Sequence, residues 1–220
     1  MSGVDDKTFY LKDCSLTTIA LGLRAQTLIE LRDKVAVVPQ GCLYTHFWGG
    51  RLSTRFEHTE FHNDFSIWAH QALHDDVLAE RLDIINPIDY DDMEGLRSEL
   101  LDEIETRLEE KDTVPLSRRD QQFHFARSKI IVFDTEFTMS DPNDFLKIAP
   151  HLTPSSLFYH IIDASRRVSS KASDFSVWLE GFSPKYDDLI QEINKIDPYF
   201  ISLKDLKVHL IESIEKWQNH

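Results

Sequence analysis

The chain repeats itself. Displaced by 114 residues, Phe9 falls on Phe123, and Leu43-Tyr44-Thr45-His46-Phe47 falls on Leu157-Phe158-Tyr159-His160-Ile161. After a short contraction, Asn63-Asp64-Phe65-Ser66-Ile67-Trp68 matches Ser173-Asp174-Phe175-Ser176-Val177-Trp178. Ile85-Asn86-Pro87 then matches Ile196-Asp197-Pro198, and Met93, Leu96, Leu100 and Ile104 fall on Leu203, Leu206, Leu210 and Ile214. Order, spacing and residue type agree throughout, tryptophan included. A repeat of this length means that one structural unit is made twice. The sequence predicts two units, 9–110 and 123–220, joined by a polar linker, 111–122, that carries Pro115. Each copy, at roughly 100 residues, is large enough for its own core.

Each copy reads as helical. Asp141-Pro142, Thr153-Pro154 and Ser183-Pro184 each place a capping residue before a proline, the pattern that opens a helix. Ser202 with Asp205, and Asp91 with Glu94, have the capping-box spacing at the start of the last helix of each copy. Those final segments carry apolar residues at steps of three and four. Phe9-Tyr10-Leu11 and Phe123-His124-Phe125 alternate like short strands, and Ile130-Ile131-Val132-Phe133 has high strand propensity. Only 7 glycines supply turns, which favours helices over sheet. The expectation is an all-α fold with at most a minor β element, built as a tandem duplication of a multi-helix unit.

Charge is uneven along the chain. The net charge is −14, and residues 75–112 hold 15 acidic residues against 4 basic ones. Such a balance excludes sequence-independent nucleic-acid binding, which needs cations facing phosphates. It offers an acidic docking surface to a basic protein partner, or else a solvated helix face. No apolar run reaches the length of a membrane span, and the acidic start MSGVDDKTFYLKD does not resemble a signal peptide. Cys14 and Cys42 form neither a disulfide framework nor a metal spacing, which points to a reducing cytoplasm.

The Leu-Tyr-x-His segment, the Asn-Asp-Phe-Ser-x-Trp segment and Leu78-Ala79-Glu80-Arg81 together resemble a family of small, largely helical bacterial and archaeal proteins, catalogued as a domain of unknown function. The resemblance runs from Phe9 to Leu108 and is looser in the second copy, where Ser173 stands for asparagine. It implies no catalytic role and no cofactor. Some members of the family sit beside sugar-transferring enzymes.

The candidate sites are few. His46 and Asp64, with His160 and Asp174 as counterparts, could orient an imidazole as a general base; more often such a pair satisfies a buried imidazole between helices, or each aspartate caps the helix that begins with the Phe-Ser-x-Trp run. Presence in both copies favours the structural role. Trp48 and Arg51 flank Gly49-Gly50, so His46, Trp48, Arg51 and Asp64 could line a cleft that grips an anion. His58/His62 and His70/His74 have the i,i+4 spacing that puts two imidazoles on one helix face, where a metal could bind. Phosphate loops, dinucleotide fingerprints and nucleophile elbows are absent from the sequence. The sequence therefore reads as a non-catalytic cytoplasmic protein, a regulator or adaptor working through protein–protein contacts. The alternative is a binder or enzyme for a sugar, sugar phosphate or nucleotide at the His46 cleft. A third reading is a histidine-dependent metal protein.

Overall fold

A computed structural model describes residues 7–52, 60–167 and 171–218. Two long strands, β1 (Phe9–Ala25) and β2 (Phe123–Met139), pair as an antiparallel two-stranded sheet. The fold is thus mixed α/β, and the all-α expectation is wrong. Its error has a physical cause: scarcity of glycine counts against hairpins, but β1 and β2 are not a hairpin. An entire set of helices separates them in the chain, so no tight turn is required.

Between the strands lie α1 (Leu28–Val35), α2 (Gln40–Trp48), α3 (Asp64–Gln71), α4 (Asp76–Asp83) and α5 (Met93–Glu109). The side chains of Thr27, Asn63, Asp75 and Asp92 cap α1, α3, α4 and α5 by accepting from backbone N–H groups one turn in. The cap of α5 is therefore Asp92 rather than Asp91. After β2 come α6 (Phe145–Ile148), α7 (Pro154–Leu157), a π-helical turn over Phe158–Asp163, α8 (Ala164–Arg167), α9 (Asp174–Glu180), α10 (Asp187–Asn194) and α11 (Leu203–Gln218). Thr153 caps α7 as its proline signal predicts. Ser183-Pro184 opens no helix; α10 starts only at Asp187.

The chain divides into two compact units that cut across the sequence copies: a continuous unit, Leu16–Lys129, and a split unit, Met1–Ser15 with Ile130–His220. The continuous unit buries Leu31, Leu43, Phe47, Phe65, Leu78 and Leu100. Its α3 packs on α4, and α5 packs on α1, α2 and α4. The split unit buries Phe145, Phe158, Phe175, Tyr199, Leu206 and Leu210, with α11 against α6, α7 and α10. Each strand is shared. Phe9–Ser15 of β1 belongs with the helices of the second copy, and Phe123–Lys129 of β2 belongs with those of the first. The copies have exchanged their lead segments.

Candidate functional site

His46 lies on α2 and is buried; its Nδ1 is 2.9 Å from Asp64 Oδ2 in the first turn of α3. The other ring nitrogen, Nε2, lies 3.1 Å from the backbone N of Ala126 on β2. A backbone N–H can only donate, so Nε2 carries the lone pair and the Nδ1 proton is the one given to Asp64. The ring packs against Phe65, Phe123 and Phe125. One residue pattern thereby ties α2, α3 and a strand from the other copy into one cluster.

The split unit repeats the central arrangement. His160 Nδ1 is 2.8 Å from Asp174 Oδ2, and His160 Nε2 accepts from the backbone N–H of Lys12 at 2.8 Å. Phe9 packs on His160, Phe175 and Trp178, as Phe123 packs on His46, Phe65 and Trp68. Trp68 Nε1–H donates to the carbonyl of Gln121, and Trp178 Nε1–H to that of Lys7. Ser66 Oγ donates to Asp83 and Ser176 Oγ to Asn194. Burial pushes the Asp174 carboxyl up, but hydrogen bonds from His160 and Arg167 outweigh it and hold it below its ordinary value.

A general base needs a ring nitrogen open to substrate. Both nitrogens of both imidazoles are engaged, so these are strand clamps. Indole burial differs between the copies: Trp68 is buried, whereas Trp178 is partly exposed. Trp68→Ala is therefore expected to cost about 3–5 kcal/mol in urea unfolding, by cavity and lost contacts. Trp178→Ala should cost clearly less, since part of its indole already meets water. Equal losses would contradict the burial argument.

The four cleft candidates fall into two pairs, His46 with Asp64 and Trp48 with Arg51. Trp48 is buried, with the Arg51 guanidinium 6.0 Å from its ring centroid, so its face is not a platform open to a ligand. Of the histidines proposed for metal, His58 lies outside the described residues. His62 precedes α3 and bonds Asp83 at 2.7 Å; His70 bonds Asp76 at 2.7 Å. His74 follows the end of α3 with a φ of 53°, so it does not share a helix face with His70. Among the described residues, no three His, Cys, Asp or Glu side chains group closely enough to hold a metal ion. Cys14 and Cys42 are buried, and burial pushes their thiols up to about 12 and about 11, far from nucleophilic thiolates at neutral pH.

Other features carry no obvious sequence mark. Asp75 is buried and receives three hydrogen bonds from the Arg107 guanidinium on α5. Buried Arg97 bonds the carbonyls of Val35, the last residue of α1, and of Val38 beyond it. Two surface grooves, of about 980 and 480 Å³, run along α10 and α11 in the split unit, the larger walled by Trp217, Lys185, Gln191 and Lys216. No helix among the described residues is long and apolar enough to cross a membrane.

Fold and clamps together define a mixed α/β protein in which each unit joins its helices to the first residues of a strand, Phe9–Ser15 in the split unit and Phe123–Lys129 in the continuous one. The chain belongs to a family of unknown function, DUF5752, which matches residues 6–215 and so spans both copies, not the first alone. No curated protein matches the sequence. A solved structure, "The structure of OrfY from Thermoproteus tenax", is similar at 25% identity and a TM-score of 0.81, over 97% of this chain and 96% of that one.

Proposed function

We propose that this is a non-catalytic cytoplasmic adaptor or regulator that docks a basic protein partner on the acidic face of α5. The observation that carries the reading is the placement of Asp102, Glu105 and Glu109. They are exposed, three and four residues apart, on the side of the helix opposite buried Leu100 and Ile104. Among the described residues they form no ion pair. Like charges at this spacing repel one another by a few tenths of a kcal/mol per pair, and a cationic partner relieves that repulsion. Glu94 and Glu110 of the same segment are paired instead, Glu94 with Arg97 and Glu110 with Arg81 and Arg107. The triad presents unneutralised charge on one helix face to a partner.

The test compares capture of binding proteins at low and high salt by the natural chain and by a chain carrying Asp102→Asn, Glu105→Gln and Glu109→Gln. A partner retained at low salt, released by salt and lost with the triple substitution supports the reading. Retention unaffected by the substitutions, or turnover of a metabolite by the purified protein, overturns it.

A further inference from the structure

We infer that the split unit is a receptor for an extended Phe-x-Leu segment, and that it takes this segment from a second copy of the chain as well as from its own. The inference concerns a different unit from the acidic face of α5 and stands independently of it.

The two occupants on view define what a clamp reads. In the split unit, the carbonyl of Lys7 is held by Trp178, the Phe9 ring fills the aromatic cluster, Leu11 is buried, and the N–H of Lys12 is held by His160. In the continuous unit the same reading falls on the carbonyl of Gln121, Phe123, buried Phe125 and the N–H of Ala126. The recognised pattern is a phenylalanine, a large apolar residue two positions later, and main-chain groups two residues before and three after the phenylalanine. Main-chain bonds supply affinity and the ring pocket supplies selectivity, which is the logic of peptide recognition by strand addition.

The split unit is the clamp with the looser occupant. Its tryptophan is partly exposed, whereas Trp68 is buried. In the continuous unit Thr45 adds a bond to the backbone N–H of Ser128. The corresponding N–H, that of Cys14, turns instead to the side chain of its own neighbour Asp13. Lys7, Asp13 and Cys14 do reach the unit, at Gly181, Thr153 and Ser155, Lys7 through an exposed side chain and Cys14 through its buried thiol. A second copy offers the identical segment, so exchange between copies replaces every lost contact with the same one. The cost is the tether: a segment on its own chain acts at roughly millimolar effective concentration.

The test uses a synthetic peptide of residues 7–14 with Cys14→Ser and a fluorophore. Full-length protein carrying Phe9→Ala should bind it at least tenfold more tightly than the natural chain does. The same peptide carrying Phe9→Ala should lose at least tenfold in affinity. In the natural chain, whose folding is not in question, millimolar unlabelled peptide should weaken hydrogen-exchange protection of the Lys12 amide. Differently tagged natural chains, mixed at millimolar concentration, should yield mixed dimers that Phe9→Ala abolishes. Unchanged Lys12 protection, or equal binding of both peptides, overturns the receptor. Absence of mixed dimers overturns its assignment to a second copy.

Discussion

A chain cut within its linker after folding is expected to stay in one piece. With a protease site placed after Thr113, where Lys111–Val114 is exposed, cleavage yields fragments 1–113 and 114–220. The first carries Phe9 and Lys12, which complete the cluster around His160; the second carries Phe123 and Ala126, which complete the one around His46. Separation requires drawing both phenylalanines out of their pockets and unpairing two strands of 17 residues each. The cut material should elute as one species of intact mass and come apart only in denaturant. Removing the rings by Phe9→Ala and Phe123→Ala should weaken the association by about 3–5 kcal/mol each, roughly two decades or more per ring. Either fragment made alone should aggregate or melt far earlier, because its helices lack their strand. Fragments that separate in native buffer after cleavage would falsify the exchange.

How much of this was legible turns on what a repeat encodes. Phe9 and Phe123, His46 and His160, Trp68 and Trp178 reveal themselves as equivalents by position alone, and so does the clamp composition. Which phenylalanine meets which histidine cannot be read that way. In an unexchanged arrangement Phe9 would meet His46; in the exchanged one it meets His160, and the residue list is the same. The choice depends on chain path, through β1 and β2, whose length the local signals understate. Phe9–Leu11 and Ile130–Phe133 look like short strands, but residues 12–22, which continue β1, contain Lys12, Asp13 and Gly22 and lack clean alternation. Pairing to a distant strand overrides that weak local preference. The histidine spacing misleads for a related reason: i,i+4 means a shared face only inside a helix, and α3 spans Asp64–Gln71, excluding both His62 and His74.

Asp75 shows what the acidic stretch hides, and it sets the other large effect. Of the 15 acids between 75 and 112, it is the one whose side chain is 3% exposed. It caps α4 through the N–H of Leu78, and it meets Arg107 and Lys111. Burial pushes its carboxyl up, but the Arg107 hydrogen bonds, the Leu78 N–H and the two positive charges outweigh that and hold it below its ordinary value. Asp75→Ala removes the cap and takes from Arg107 its buried partner, leaving it only the more exposed Glu110, so a loss of about 2–4 kcal/mol is expected, against nearly none for Asp102→Ala on the exposed face. The sign with pH follows from the depressed value. The unfolded carboxylate takes up its proton first, so the stabilisation is complete above the ordinary aspartate range and drains away as pH falls through the folded value. Urea midpoints measured from pH 6 down to pH 2 should therefore fall more steeply in the natural chain than in Asp75→Asn, which has no proton to gain there. Parallel curves would mean that the pair contributes nothing to acid stability and that α4 rests on packing alone.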